Sequence, residues 1–267
     1  MKIIIILRLL TVAWTLSFAA CKTPEDILEP VVERKSSVPQ LISSSYTWKP
    51  LKVGGGGWVV GMYIHPSEAG LRYIRADVSG AYRWDGSTST WIQLVNASSM
   101  PAAFVTYAGY EGVHSLVGAP SAPDIAYMAF KGEIFKSNNR GNTWTATGFL
   151  ANNVSMPANG AGRQEGERLA VDPNNADVVY YGSVANKLWV SQNGGVSWSQ
   201  ITGIPQGVAA HGVNTVIFDE DGGISGPKTN IIYVTVDGEG VFKSTDAGDN
   251  WSNISTGGPG SVRSPRD

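Results

Sequence analysis

The sequence predicts an all-β fold, a β-propeller, in which four-stranded antiparallel sheets called blades surround a central axis. A repeat is the first observation, because Ser-x-(Asp/Asn)-x-Gly-x-x-Trp occurs at residues 137–144, 191–198 and 244–251. The tryptophans of these copies lie 54 and 53 residues apart, and a further step of 53 residues back reaches Trp91, which ends a degenerate copy. The second observation is that each period holds several short β-like runs. Four short strands in a period of this length are typical of a propeller blade.

The third repeat shows its strands most clearly. β-like runs occupy residues 168–171, 178–182, 187–191 and 197–201, and turn signals such as Asp-Pro-Asn-Asn at 172–175 separate them. His65-Pro66 precedes Trp91 by the same offset as Asp172-Pro173 precedes Trp198, so the first repeat follows the same plan. We therefore predict four blades, each with strands A (innermost) to D.

The loop that contains the repeated motif resembles the Asp-box, also called the BNR repeat. We expect it to join strands C and D, with the Ser and Asp or Asn side chains bonding the backbone of a tight turn. The glycine supplies a backbone conformation that other residues resist, and the tryptophan packs the hairpin against the blade. These loops indicate the architecture and do not locate the functional site.

Composition excludes several classes of protein. Charged residues make up 16% of the chain and the net charge is −2, so neither disorder nor nucleic-acid binding through a basic stripe is expected. The single cysteine, Cys21, excludes a disulfide framework. No His, Cys or Asp cluster has metal-ligand spacing, and the glycine-rich stretch lacks the ending of a phosphate loop. We predict no cofactor and no metal.

The first residues are interpreted as a targeting segment. Residues 1–20 have a positive start at Lys2 and Arg8 and a short apolar run, which is typical of a signal peptide. Small residues before Cys21 resemble a bacterial lipoprotein signal, with lipid on the cysteine sulfur; an ordinary secretory signal is the alternative. Residues 21–45 are predicted to be a flexible linker. The protein is thus expected to be exported, and to contact a membrane only through the lipid.

One acidic residue, Asp77, stands out in the turn between strands B and C of the first blade. Such turns lie on the propeller face opposite the repeated loops. The same distance before the repeat tryptophan gives Asp237 in blade four, but Phe130 and Val184 in blades two and three. The repeat therefore does not impose a carboxylate at this position, which favours a functional role for Asp77 and, more weakly, for Asp237.

Other candidate groups are expected on the Asp77 face, where the chain crosses between blades. Glycines at 54–57 precede Trp58, residues 162–168 carry Arg163 and Glu167, and His211 opens blade four. The alternative for Glu167 is a structural salt bridge with Arg168. For His211, as for His114, the alternative is an ordinary loop or strand-end histidine.

The two stretches around Trp58 and Asp77 are similar to the start of glycoside hydrolase family 74. These are residues 53–59, with Gly61 and His65-Pro66, and residues 75–85, Arg-Ala-Asp-Val-Ser-Gly-Ala-Tyr-Arg-Trp-Asp. Residues 166–173 match a further family segment, and the resemblance covers residues 48–251. It implies an inverting hydrolase of xyloglucan-type β-1,4-glucans, built from two seven-bladed propellers with a cleft between them. Residues 76–80 depart from the family's usual Thr-Asp-Ile-Gly-Gly, which leaves the particular glycan open.

The resemblance assigns Asp77 as general base and places the general acid on a second propeller. Residues 46–267 are accordingly predicted to be a partial N-terminal propeller, inactive by itself. Arg75 and Arg83 are candidates for a cation beside Asp77, and aromatic rings could stack on sugars or belong to the blade core. The residues predicted to contact substrate are Trp58, Arg75, Tyr82, Arg163, Glu167 and His211, with Trp84 as a further aromatic candidate.

Three other functions compete with this reading. Catalysis within the chain would use Asp77 and Asp237 as the carboxylate pair. A sialidase is disfavoured, because no Arg-Ile-Pro signature precedes the loops. A lipid-anchored, non-catalytic glycan-binding propeller is an alternative of a different class, which glycan binding without turnover would support.

Overall fold

A computed structural model describes residues 53–105 and 111–255 of the chain. Within them the chain forms four separate four-stranded antiparallel sheets in chain order, which confirms the predicted all-β propeller architecture. The predicted signal peptide, the lipidation at Cys21 and the linker lie outside the described residues. No helix in the described part is long and apolar enough to cross a membrane.

Each blade follows the predicted A-to-D plan. The strands of blade three begin and end within about three residues of the predicted runs, because its turn signals mark the hairpins well. Blade one comprises β1 (Val59–Ile64), β2 (Arg72–Ala76), β3 (Ala81–Asp85) and β4 (Thr90–Gln93); blade two β5 (Ser115–Ala119), β6 (Ala122–Phe130), β7 (Glu133–Ser137) and β8 (Thr145–Ala146); blade three β9 (Leu169–Asp172), β10 (Asn175–Gly182), β11 (Leu188–Ser191) and β12 (Ser199–Ile201); and blade four β13 (Val213–Ser225), β14 (Lys228–Val236), β15 (Gly240–Ser244) and β16 (Ser252–Asn253).

The core lies between neighbouring blades, because strand side chains alternate between the two faces of a sheet. On β6, Met128 and Phe130 pack toward blade one, whereas Tyr127 and Ala129 pack toward blade three. A third cluster joins blades three and four in the same way. Consecutive A strands contact one another, so β1, β5, β9 and β13 succeed each other on the inner side.

The repeated loops have the predicted geometry and one additional contact. In blade two the Ser137 hydroxyl accepts the N–H of Gly141 at 2.8 Å, and the Asn139 side chain accepts the N–H of Thr143 at 2.9 Å. Trp144 does not pack only on its own hairpin: its indole N–H donates to the Leu94 carbonyl of blade one at 3.1 Å. The loop of blade two therefore also fastens it to the preceding blade.

Candidate functional site on the Asp77 face

Asp77 lies directly after β2, in the turn between β2 and β3, as the sequence predicted. Its N–H donates to the carbonyl of Trp58 at 3.0 Å, and its Oδ1 accepts the N–H of Trp58 at 2.7 Å. These two bonds attach the turn to the segment that leads into β1. Ser79 and Gly80 both have positive φ angles, 69° and 84°, which closes the turn tightly.

Arg163 is the cation beside Asp77, and it belongs to the crossover between blades two and three. Its Nε lies 3.5 Å from Asp77 Oδ2. This Nε is buried and has no hydrogen-bond partner among the described residues, so the contact is an attraction between charges rather than a formed hydrogen bond. The guanidinium carbon also lies 5.7 Å from the ring centroid of Trp58, in a cation–π arrangement.

Trp58 presents an exposed aromatic surface beside Asp77: 56% of Trp58 is exposed, whereas only 8% of Asp77 is exposed. One continuous group thus forms from a fixed carboxylate (Asp77), a cation (Arg163) and an exposed aromatic ring (Trp58). The structure brings these three predicted site residues together from two crossovers and one turn. Such a combination can orient a water or hydroxyl group and stack a sugar ring.

The prediction that Arg75 or Arg83 supplies the cation beside Asp77 is wrong. Arg75 points its Nε at Glu167 Oε1, 2.7 Å away, and its other nitrogens donate to the carbonyls of Arg163 and Gly166. Arg83 donates to the carbonyl of Arg140 in blade two. Both guanidinium groups are therefore committed to protein partners away from the Asp77 carboxylate.

Arg75, Glu167 and Tyr82 take structural positions instead of the predicted substrate contacts. Only 2% of Arg75 and 4% of Tyr82 are exposed, and the Tyr82 hydroxyl donates to the Ser79 carbonyl at 3.0 Å. Glu167 Oε2 accepts the Ser115 hydroxyl at 2.7 Å, so this carboxylate joins Arg75 of blade one to β5 of blade two. The proposed salt bridge between Glu167 and Arg168 is replaced by Glu167 with Arg75 and by Arg168 with Glu165.

Two of the glycines at 54–57, Gly55 and Gly57, lie tightly against the protein itself. A Cβ on Gly57 would lie 2.5 Å from Val78 Cγ2, and one on Gly55 would lie 1.9 Å from the Tyr82 hydroxyl. The glycines therefore let this segment lie directly against the turn that holds Asp77. Packing against this turn therefore accounts for Gly55 and Gly57 without a ligand.

His211 is half-buried and pairs with a residue that the sequence reasoning gave no role. Its Nδ1 contacts Glu165 Oε1, and Glu165 is buried beside Arg168, whose Nη2 lies 3.3 Å from Glu165 Oε2. His211 is held at the blade-three to blade-four crossover, and no direct contact with Asp77 is formed. The short spacing of Glu165 from Arg168 was the only sequence signal for this cluster.

His114 belongs to the interior. Its Nδ1 lies 2.9 Å from the Tyr181 hydroxyl. Burial, and then the charges of Arg168 and Arg75, hold the pKa of His114 well below its ordinary value. A neutral, buried histidine on the strand side fits the ordinary interpretation of this residue.

Asp237 is the structural equivalent of Asp77 in blade four. It follows β14 directly, and its N–H donates to the Gly212 carbonyl at 2.9 Å, as that of Asp77 does to Trp58. Phe130, in contrast, is the last residue of β6, where the hairpin turn is Lys131-Gly132. Within the described residues, no group of three or more His, Cys, Asp and Glu is placed to hold a metal ion.

The fold and the Asp77 face define a β-propeller with a carboxylate held at the rim of its first blade. No family model matches the chain. It is 34% identical over 263 residues to a xyloglucanase of Acetivibrio thermocellus, covering 89% of this chain and 30% of that protein. A solved family 74 glycoside hydrolase from Niastella koreensis superposes with a TM-score of 0.65 at 37% identity, over 76% of this chain and 30% of the other. The solved family 74 xyloglucanase from Xanthomonas campestris gives a TM-score of 0.65 at 31% identity, over 80% and 32%.

The chain is xyloglucanase-like, and the resemblance to glycoside hydrolase family 74 predicted from its sequence is confirmed. It spans under a third of the length of these relatives. Each of these likenesses covers at least three quarters of this chain, so the likeness in sequence and the likeness in fold concern largely the same residues.

Proposed function

We propose that this chain contributes the general-base side of a glycoside hydrolase site that acts on xyloglucan. The observation that carries the proposal is the Asp77 carboxylate, held at one oxygen by the Trp58 N–H at 2.7 Å while the other oxygen faces Arg163. The names of the related enzymes supply the substrate class. The exposed ring of Trp58 suits a sugar face beside that carboxylate.

The proposed reaction inverts the configuration at the sugar's anomeric carbon. A base removes a proton from water as the water attacks, and an acid protonates the leaving oxygen, with the two carboxyl groups about 6.5–9.5 Å apart. Asp77 is the proposed base: its Oδ1 is fixed by a backbone N–H, which leaves Oδ2 to take the proton. The positive charge of Arg163 lies beside Oδ2. When water binds there, the Arg163 side chain would either move aside or contact Oδ2 together with the water.

We propose that the general acid is an aspartate of a second propeller, across a cleft that the Asp77 face would help to form. We also propose that the protein is exported and that lipid on Cys21 is its only contact with a membrane. His211, on a neighbouring crossover of the same face, is kept as a proposed sugar contact, because a third of its side chain is exposed and Glu165 fixes its ring.

The test compares Asp77→Asn with Asp237→Asn in the longest product of the gene. Release of reducing ends from xyloglucan is measured, and the product's anomeric configuration is read by NMR. Loss of at least about 10³-fold in turnover for Asp77→Asn, with Asp237→Asn close to wild type, is expected.

Wild-type turnover by Asp77→Asn would overturn the assignment. Equal losses in both variants would favour the alternative in which the two carboxylates form the catalytic pair. Binding of xyloglucan without any turnover by the wild-type protein would favour a glycan-binding propeller.

A further inference from the structure

A groove crosses the end of blade two on the Asp77 face. It consists of two adjoining depressions of about 340 and 590 Å³, within the size range of small-molecule sites. They share Lys131, Met156 and Pro157 in their linings, so the two depressions meet at these three residues. Glu111, Gly112 and residues 158–160 complete the first depression, and Gly132, Leu150 and residues 153–155 complete the second.

The first depression begins beside Asp77. Gly112, in its wall, lies so close to the Asp77 backbone that a Cβ there would be 2.1 Å from the Asp77 carbonyl oxygen. Gly160, also in its wall, accepts a hydrogen bond from Arg163 Nη1 at 3.1 Å. The first depression therefore lies next to both the turn that holds Asp77 and the crossover that carries Arg163.

The groove is polar but its charge is balanced. The Lys131 ammonium lies 2.9 Å from the Glu111 carboxylate, so its one cation is paired inside the groove. Asn153, Ser155 and Asn159 are exposed along it, and half-buried Met156 and Pro157 lie between them. Amide and hydroxyl groups can bond the hydroxyls of a sugar, and the apolar surface beside them suits its flat C–H faces. The groove therefore suits a neutral sugar chain better than it suits an anion.

We propose that this groove binds the sugar units of the glucan chain that extend beyond Asp77, with Lys131 and Asn159 as the affinity-determining side chains. The inference rests on the proposed function, because it takes the substrate to be a xyloglucan-type chain lying on the Asp77 face. It adds to that function the direction in which the bound glucan chain runs from Asp77, outward over the Lys131-Gly132 hairpin of blade two.

The test is calorimetric titration of the whole chain with two xyloglucan oligosaccharides, one short and one at least twice as long. The variant is Lys131→Ala/Asn159→Ala. Lys187→Ala is its matched control, because Lys187 also has a positive φ (59°, against 53° for Lys131) in the corresponding hairpin of blade three and lines neither depression. Trp58→Ala reports on binding beside Asp77.

We expect the double variant to bind the long oligosaccharide about tenfold more weakly, as two lost hydrogen-bonding groups would give. The short oligosaccharide, which fills only the Asp77 end, should bind the double variant as it binds wild type, and Lys187→Ala should match wild type for both.

Unchanged affinity of the double variant for the long oligosaccharide, together with weaker binding by Trp58→Ala, would overturn the groove and leave the proposed function standing. An equal loss for both oligosaccharides would also overturn it, because a general disturbance of the face would explain that result. No binding of either oligosaccharide to wild type at millimolar concentration would overturn the groove and the proposed function together.

Discussion

At the residue scale, the position of Asp77 depends on a glycine that lies against its turn. Gly57 has a φ of 86°, a conformation that side-chain-bearing residues resist, and a Cβ there would lie 2.5 Å from Val78 Cγ2 and 2.7 Å from the Val78 carbonyl oxygen. Gly54 has a similar φ of 73°, but nothing lies within 4 Å of its Cβ position. Comparing substitutions at the two glycines therefore distinguishes the cost of the backbone conformation, which both share, from the cost of close packing, which only Gly57 has.

We therefore predict that Gly57→Ala costs more free energy of unfolding than Gly54→Ala. The strained φ alone should cost about 1 kcal/mol in each variant, and overlap with Val78 should add about 1–3 kcal/mol in Gly57→Ala only. Urea denaturation followed by tryptophan fluorescence measures both. Equal losses in the two variants would show that the turn can move away, and that Gly57 is not what holds Asp77 in place.

The same scale shows where sequence reasoning about the site reached its limit. Asp77, Trp58 and Arg163 could be assigned to one face, because turn position and crossover position follow from the repeat. Their contacts could not be assigned, because Arg163 is far from Asp77 along the chain and the repeat carries no information on loop conformation. Arg75, only two residues from Asp77, was the nearer candidate by sequence and is instead directed to Glu167.

At the element scale, the repeated loop uses two interchangeable pairs of side chains. In blades two and three an asparagine accepts a backbone N–H and donates its amide to a hydroxyl four residues on, as Asn139 does to Thr143 at 2.9 Å. In blade four Asp246 accepts the backbone N–H of Asn250 at 2.9 Å and its side-chain amide at 2.7 Å. An asparagine at the third position of the loop is thus paired with a hydroxyl that accepts from it, whereas the aspartate is paired with an amide that donates to it.

Asp246→Asn is therefore expected to lower the midpoint of thermal unfolding, because Asn250 donates to both oxygens of Asp246 and the variant has an amide nitrogen, a donor, in place of one of them. Adding Asn250→Thr should restore the midpoint, since it recreates the pair of blade two. Differential scanning calorimetry of the single and double variants tests this. A double variant no more stable than Asp246→Asn would show that the two positions act independently.

The pH dependence of the same loop has a defined sign. Hydrogen bonds from the Asn250 side chain, the Asn250 backbone and Ser244 lower the pKa of Asp246 from 3.8 to about 2. A carboxyl with a lowered pKa in the folded state stabilises it above pH 3.8, and that contribution disappears as the pH falls through 2. The stability advantage of wild type over Asp246→Asn should accordingly shrink between pH 4 and pH 2.

Most elements could be predicted because each carries its own local signal. The Asp-Pro-Asn-Asn turn and the repeated loop fixed the hairpins of blade three. The length of β13 and β14, thirteen and nine residues, could not be foreseen, because β13 contains the Asp-Glu-Asp-Gly-Gly run at 219–223, which is typical of a turn. The ladder continues across that run by a register shift between Asp219 and Ile224.

At the scale of the whole molecule, one ion pair, formed by a buried arginine and a half-buried glutamate, joins blades that are not neighbours. Proteins built from stacked repeats are stabilised mainly by contacts between adjacent units. Arg75 of blade one instead reaches Glu167 and Gly166, which lead into blade three, while Glu167 also accepts the hydroxyl of Ser115 in blade two. Blades one, two and three therefore share one polar cluster near the inner strands.

Glu167→Gln should be among the more costly single changes in this chain, by about 3 kcal/mol in free energy of unfolding. It leaves the Arg75 guanidinium, 2% exposed, without its counter-charge, and a buried charge that loses its partner typically costs 3–5 kcal/mol. Asp177→Asn is the matched control, because the Lys136–Asp177 pair also joins two blades at a distance of 2.9 Å but is exposed, and such pairs contribute below about 1 kcal/mol.

The cluster also predicts how the molecule unfolds. If Arg75 and Glu167 couple blade one to blade three, Glu167→Gln should raise amide hydrogen exchange in β1 and β2 more than in β14 and β15, which lie in blade four and do not contact the cluster. Asp177→Asn should leave both regions as in wild type. A uniform rise in exchange over all four blades would contradict the coupling, because the lost free energy would then belong to one cooperative unit rather than to the attachment of blade one.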